Sequence, residues 1–562
     1  MVRSTSLLRS LLVLSFTSVA VSLGGCQLIA GLGGEEPLDG GAGGTGGGTG
    51  GETTAMGGNG GTGGGTGLTG PCTPDETVDC YSGPDGTRNV GACKGGVSTC
   101  SAEATWGKCD GEVVPELESC AAPEDENCDT LDCLVWLKVF EGEVYGEVVD
   151  VGDDGSVIAG VTFATGTDFG DGMPSIPVGS SDIALLKLDK YGALVWKRVF
   201  PASDAQAISA LDIDKSGNIV FSGYTYGPIT FGNDTIPVGG FVVKMDPEGV
   251  PTWARGATSE SGTAIIDFVA SDSQGNVFAA GTAKGIDFGT GLQSGGMDPY
   301  SFYIAKLAAD TGTPSWVKIT KGGGWEFLNG LAVDPSDSAV IIGTFDGQYL
   351  GFTDGATPPN DLYNGSGEDR PFLARVDPSG KLGNGKHLAT GPNGTIVTLY
   401  TNGVVTDNFG AAFVGGSFSG TVQLQSGAYT TQDGGAILIH DQVSGFDQWA
   451  KAFGAAGAYA GINRVALDGA GNVVLSGNYG GPVDFGGGPL PDGYSSFLTK
   501  LGKDGAFQWA KPFKFGDGGI QDMAAGTLEN EAVIIGTFYG MADILGTFID
   551  KQQGVFIAKV GY

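Results

Sequence analysis

The sequence predicts an all-β fold, and three observations predict it. A unit of about 60 residues recurs along the C-terminal three-quarters of the chain. Each unit holds apolar runs of four to six residues bounded by Gly, Asp or Asn, the pattern of short strands joined by tight turns. The two ends of the repeat region complement each other, because the last copy lacks a fourth strand and an unmatched strand precedes the first. Four strands per unit and seven units predict a seven-bladed β-propeller over 134–562, closed by an N-terminal strand. A small disulfide-rich module and a disordered Gly/Thr-rich linker are predicted to precede it.

The N-terminal residues 1–25 read as a processing segment. Arg3 and Arg9 supply the positive region, and Leu11 to Leu23 is an apolar run too short for a stable membrane span. It ends in Leu23-Gly24-Gly25-Cys26, which resembles the lipobox of bacterial lipoproteins. That resemblance implies lipidation of Cys26, cleavage before it and anchoring to a membrane by acyl chains. Gln27 follows the cysteine, and by resemblance to Gram-negative lipoproteins this implies the outer membrane, on its periplasmic or cell-surface face.

Residues 26–71 carry the anchor and a tether. From 32 to 70 the chain is dominated by Gly and Thr, so it has almost nothing to bury and chain entropy keeps it disordered. A Gly-rich coil of this length spans about 35 Å.

Residues 72–133 hold Cys72, Cys80, Cys93, Cys100, Cys109, Cys120, Cys128 and Cys133, and no cysteine follows them. An even number packed into a short exported segment reads as a disulfide framework whose pairing spacing alone does not give. Zinc is the competing reading, but the spacings are irregular and the segment has no histidine. The segment is similar to a cysteine-rich module of myxobacterial surface lipoproteins. Such modules often end in an acidic cysteine motif associated with metal binding. Here the end is Glu124-Asp125-Glu126-Asn127-Cys128-Asp129-Thr130-Leu131-Asp132-Cys133, with Thr130 where that motif has glycine. Asp125, Asp129 and Asp132 are the candidate calcium ligands, against the alternative of a solvated acidic turn, and no other cofactor is expected.

In the repeat region the clearest unit starts at Val465-Ala466-Leu467-Asp468, turns at Gly471-Asn472, and continues through Val473 to Gly477, Phe497 to Leu501 and Gln508 to Phe513. The turn Asp and Gly-Asn are expected to supply side-chain-to-backbone bonds and positive φ. The third strand usually carries a Lys, expected to snorkel or to pair with a nearby Asp. The fourth carries Trp and then a basic residue two positions on, as in Trp196/Arg198, Trp253/Arg255, Trp316/Lys318, Trp449/Lys451 and Trp509/Lys511. Those tryptophans are expected to pack between blades, with sugar stacking as the alternative. Copy four has Asn384-Gly385-Lys386 in that place. Copy seven stops after its third strand, and Leu134 to Phe140 supplies the missing one. The pattern resembles the propeller repeats of bacterial secreted proteins.

The functional signals are sparse. The formal net charge is −34, a surface that repels phosphate backbones, so nucleic acid is not an expected partner. There is no G-x-S-x-G elbow, no H-E-x-x-H and no phosphate-binding loop, and the only histidines are His387 and His440. No pair of carboxylates is singled out, so no catalytic residue is assigned. The insertion Asp354 to Arg370 in copy four is a place for grafted specificity. The expectation is a non-enzymatic, monomeric envelope lipoprotein whose propeller binds a protein or a polysaccharide. The alternatives are a secreted enzyme acting on sugars or peptides and a purely structural envelope component.

Overall fold

The computed structural model describes residues 70–562 apart from 85, 117–124, 127, 129–132, 261, 296–300, 323, 353–361, 364–369, 384, 391–397, 494, 527–530 and 562. Cys26, Cys120, Asp129, Asp132 and nearly all of the insertion after Asp354 therefore lie outside the described residues. The described chain is all-β, with no helix among its elements.

From Leu134 onward the main strands form antiparallel four-stranded up-and-down meanders, the second extended by the short strand Gly262–Thr263, with small hairpins at 229–236 and 349–363. Seven such groups occur among the described residues, and sheets one to seven are numbered here in chain order. Their first strands are Val144–Val151, Gln206–Ile213, Phe268–Ser271, Glu326–Val333, Thr398–Thr406, Tyr459–Leu467 and the second half of Phe507–Ala525. These strands touch one another in sequence, and the seventh touches the first, so they line a closed ring. Phe507–Ala525 is unexpected: one unbroken strand ends sheet six and begins sheet seven, pairing with Ser496–Leu501 through Phe513 and with Glu531–Ile544 from Lys514. The closing strand Leu134–Glu141 pairs antiparallel with Thr547–Gly561, bringing Leu134 opposite Val560.

The core is divided into seven buried apolar clusters, each shared by two consecutive sheets. Alternation along each strand sends successive side chains to opposite faces, so every inner sheet face feeds one of these layers. Val148 packs toward sheet two and Val149 toward sheet seven, for example.

Polar groups fix the turns. Asp214 accepts bonds from the backbone N–H of Ser216 and Asn218, both at 2.9 Å. Asp272 and Asp468 cap their own turns in the same way. The third-strand Lys then pairs with that Asp. The Nζ to carboxylate distances are 2.9 Å for Lys244–Asp214 and 2.8 Å for Lys306–Asp272 and Lys500–Asp468. Both expectations for these repeat residues, capping and pairing, are met in the geometry.

The fourth-strand tryptophans join neighbouring sheets. Five of them cover the glycine in the turn between the third and fourth strands of the next sheet: Trp136 on Gly192, Trp196 on Gly249, Trp253 on Gly312, Trp316 on Gly380 and Trp449 on Gly505. A β-carbon at Gly312 would lie 2.5 Å from the Trp253 ring, so only glycine admits the indole this closely. The indole N–H of Trp136, Trp253 and Trp316 donates to the carbonyl of Lys190, Ala309 and Pro378. The basic residue two positions on donates to the same turns, Arg198 to Glu248 and Gly249 and Arg255 to Thr311.

The N-terminal module holds a hairpin of Thr77–Cys80 and Gly96–Thr99 and the disulfides Cys72–Cys100, Cys80–Cys109 and Cys93–Cys128. Cys133 is also disulfide-bonded. Its backbone carbonyl accepts from the N–H of Gly561, which places this crosslink at the start of the closing strand.

Candidate functional site

A strand at the edge of a sheet presents N–H and C=O groups with no partner, and the first strands of all seven sheets are such edges. Each is interrupted by a bulge. The ladder skips one residue at Gly146/Val148, Ile208/Ala210, Leu328/Gly330, Thr401/Gly403, Ile462/Arg464 and Ile520/Asp522. In sheet three, Asp267 and Phe268 both face Ala280. The extra residues are Glu147, Ser209, Asp267, Asn329, Asn402, Asn463 and Gln521, every one of them polar. A bulge re-aims the side chain it inserts. These seven are half-buried or exposed, whereas the residue before each of them is buried. They form a polar ring on the inner edges of the sheets.

Further along the same strands, carboxylates bind the free edges of their neighbours. Asp522 accepts from the N–H of Val149 at 3.0 Å, Asp150 from Ile213 at 2.8 Å and Asp212 from Ser271 at 2.9 Å. Arg464 donates to Asp522 at 2.6 Å, and the Asn402 amide donates to the Ile462 carbonyl at 3.0 Å. The ring is thus electrically lopsided. Sheets seven, one, two and three contribute Asp522, Glu147, Asp150, Asp212 and Asp267, while sheets four to six contribute the amides Asn329, Asn402 and Asn463.

Burial raises the pKa of Glu147, Asp150, Asp212 and Asp267. Asp150 is pushed up to about 8 by burial and then by the charges of Asp212 and Asp522, against the two N–H groups that donate to it. Burial pushes Glu147 and Asp267 up to about 7, and Asp212 is raised for the same reason. A carboxyl whose folded pKa lies above its unfolded value binds a proton more tightly in the native state. Its contribution to stability is full below about pH 4 and is lost as pH rises toward 8. Stability to urea is therefore expected to fall between pH 5 and pH 8.5, by up to about 1.4 kcal/mol per pH unit for each excess native proton. Asp150→Asn is expected to flatten that slope. A urea midpoint that stays level or climbs over this range would count against protonated ring acids. The paired turn acids Asp214, Asp272 and Asp468 have the opposite sign. Burial alone would raise them, but their Asn and Lys partners outweigh it and hold them low, so their contribution disappears only in stronger acid.

One end of the ring is rimmed by aromatic side chains. Trp325, Tyr400 and Tyr459 stand where first strands begin, Tyr226 follows the second strand of sheet two, and Tyr539 pairs with Asp517 near the start of the first strand of sheet seven. Their exposure runs from 38% for Trp325 and Tyr539 to 55% for Tyr459, unusually open for rings of this size. Trp325 and Phe327 lie with ring centroids 5.9 Å apart, and Tyr224 and Tyr226 5.6 Å apart. Amides, carboxylates and hydroxyls on the wall with flat rings at the mouth suit a ligand with many hydroxyl groups and apolar C–H faces.

The residues singled out by sequence fall elsewhere. Asp125 packs its carboxyl against Gly91, and its carbonyl accepts from Ala92 at 2.8 Å. Its proposed calcium partners lie outside the described residues, and no cluster of three potential metal-binding side chains occurs among the described ones. His440 occupies the third-strand Lys position, stacked on Phe413 at 4.2 Å. His387 stacks on Phe345. The polar ring was missed, although it had a signal. Each ring residue stands five positions before the first-turn residue, as Ser209 does before Asp214 and Asn463 before Asp468.

No family model matches the chain. Among curated proteins, the chain is similar to the regulatory protein FlaEY of Caulobacter vibrioides, 26% identical over 325 residues. The match covers 53% of this chain and 33% of that protein, so the chain spans about a third of the relative's length. Among solved structures, it is similar to the quinohemoprotein alcohol dehydrogenase of Comamonas testosteroni, with 12% identity, a TM-score of 0.34 and 76% of each chain covered. It is also similar to the β-propeller domain of the Trilobed protease of Pyrococcus furiosus, with 8% identity, a TM-score of 0.36 and coverage of 74% and 93%. Sqt1 of Chaetomium thermophilum gives 10% identity, a TM-score of 0.37 and coverage of 76% and 100%.

Proposed function

We propose that this all-β chain is a non-enzymatic lipoprotein of the outer membrane, anchored through Cys26, whose propeller binds a polysaccharide at the aromatic mouth of its ring. One observation carries the reading: every one of the seven inner strands inserts a polar side chain at the same bulge, beneath a rim of exposed rings. Sugar rings stack their C–H faces on aromatic side chains while their hydroxyls bond to amides and carboxylates. The disulfides suit an oxidising compartment.

The purified protein should bind saturably to members of an array of bacterial envelope polysaccharides, with or without Ca²⁺. The double variant Trp325→Ala, Tyr400→Ala should lose about tenfold or more in affinity while keeping its melting temperature. Absence of saturable binding across the array, or full binding by the double variant, would remove the channel mouth as a sugar site.

A further inference from the structure

Five turn glycines lie buried under a tryptophan of the preceding sheet, and a sixth does not. In sheet five that turn is Gln442 to Phe446, and among the described residues no atom lies within 4 Å of where a β-carbon on Gly445 would stand. The cause is in the sequence: four residues after the turn glycine, sheet four has Asn384, where sheets one, two, three, five and six have Trp196, Trp253, Trp316, Trp449 and Trp509.

The seam between sheets four and five is closed by other means. Asp441 is fully buried at a position held by Leu188, Met245, Leu307, Val376 and Leu501 elsewhere. Lys386 and Arg375 of sheet four converge on its carboxylate. This pairing joins the seam where the other copies use an indole, and no described atom covers Gly445.

Three exposed apolar side chains rim the seat, two of them phenylalanines where no other copy has an aromatic ring. Phe409 is 88% exposed, Phe446 66% and Val443 50%. Val443 lies against Gly410, which brings the two turns of sheet five together. At the place of Phe409 the other turns carry Asp154, Ser216, Gln274, Ser336 and Ala470.

We infer that this seat is a docking site for an extended segment of a protein partner that presents a tryptophan followed, two residues on, by Lys or Arg. The chain itself shows the fit, since the same side-chain pair covers the equivalent turn in the other sheets. The partner's indole lies on Gly445, flanked by Phe409, Val443 and Phe446. Its cation meets the turn carbonyls, as Arg255 meets Thr311. The formal charge of −34 favours a basic segment. The site lies on the turns that follow the first and third strands, so it is separate from the aromatic mouth and independent of the sugar reading.

The test uses the full protein and a fluorescein-labelled peptide copying residues 250–257, which include Trp253 and Arg255. Saturable binding is expected, at least about tenfold weaker for the peptide with Trp replaced by Ala and for the protein variant Phe446→Asp. Asn384→Trp fills the seat from within and is expected to abolish peptide binding without lowering the melting temperature. Trp325→Ala, Tyr400→Ala should leave peptide binding intact. No saturable binding by the native chain, or binding unchanged in Asn384→Trp or Phe446→Asp, would overturn the inference.

Discussion

A chain lacking Leu134–Glu141 is expected to lose about 6 kcal/mol and to melt first at sheet seven. The strand buries Leu134, Trp136 and Phe140 almost completely. Burial of side chains of this size contributes about 1.5–3 kcal/mol each, and whole-domain stability is only about 5–15 kcal/mol. The deletion also strips hydrogen-bond partners from Thr547–Gly561 and uncovers Gly192. Urea unfolding and limited proteolysis would check it, with early cleavage expected within 547–561. Trp136→Ala alone should cost about 3–5 kcal/mol, because the indole bridges sheets seven and one. An unchanged urea midpoint and proteolytic pattern in the deletion variant would mean that sheet seven stands without its fourth strand.

The second large effect is expected at the buried pair of sheet two. Lys244→Met should cost about 3–5 kcal/mol, since it leaves the Asp214 carboxylate uncompensated where side-chain exposure is 3%. The ammonium also donates to the Gly275 carbonyl at 2.7 Å, so the same change loosens the seam with sheet three. Lys244→Met combined with Asp214→Asn should recover much of the loss, because no ion then remains buried. A double-mutant cycle in urea measures the coupling. Because the pair is buried, added salt should alter it little. If the single variant matched the native midpoint, the pair would be only decorative.

Much of this architecture was legible because it depends on local chemistry repeated many times. The turn Asp, the Gly-Asn, the strand Lys and the Trp-x-Lys/Arg each recur at a fixed spacing, and each makes the contact its chemistry suggests. The complementary ends were readable because a strand with no partner is costly and another such strand lay at the other end. The continuous strand Phe507–Ala525 was not readable. Gly516, Gly518 and Gly519 look like a loop, yet Gly516 fills a bulge and Gly518 and Gly519 pair in register within one ladder. The disulfide pairs were not readable either, since Cys72–Cys100 and Cys80–Cys109 close loops of nearly equal length. The polar ring escaped because a bulge breaks the alternation by which strands are recognised. Glu147 or Asn402 then looks like an ordinary solvent-facing residue. The meaning of Asn384 needed the fold as well, because a missing tryptophan matters only once its five equivalents are seen to sit on glycine.

The direction of the tryptophan contacts has a consequence for the order of assembly on the ribosome. Every such indole reaches forward, onto a turn made later in the chain. Trp136 reaches only to Gly192, some 56 residues ahead by their numbering, so its seat exists as soon as sheet one is complete. The closing strand can wait there, held by its indole with its hydrogen-bonding edge open, while the other sheets emerge. Thr547–Gly561, made last, then meets a template already in position.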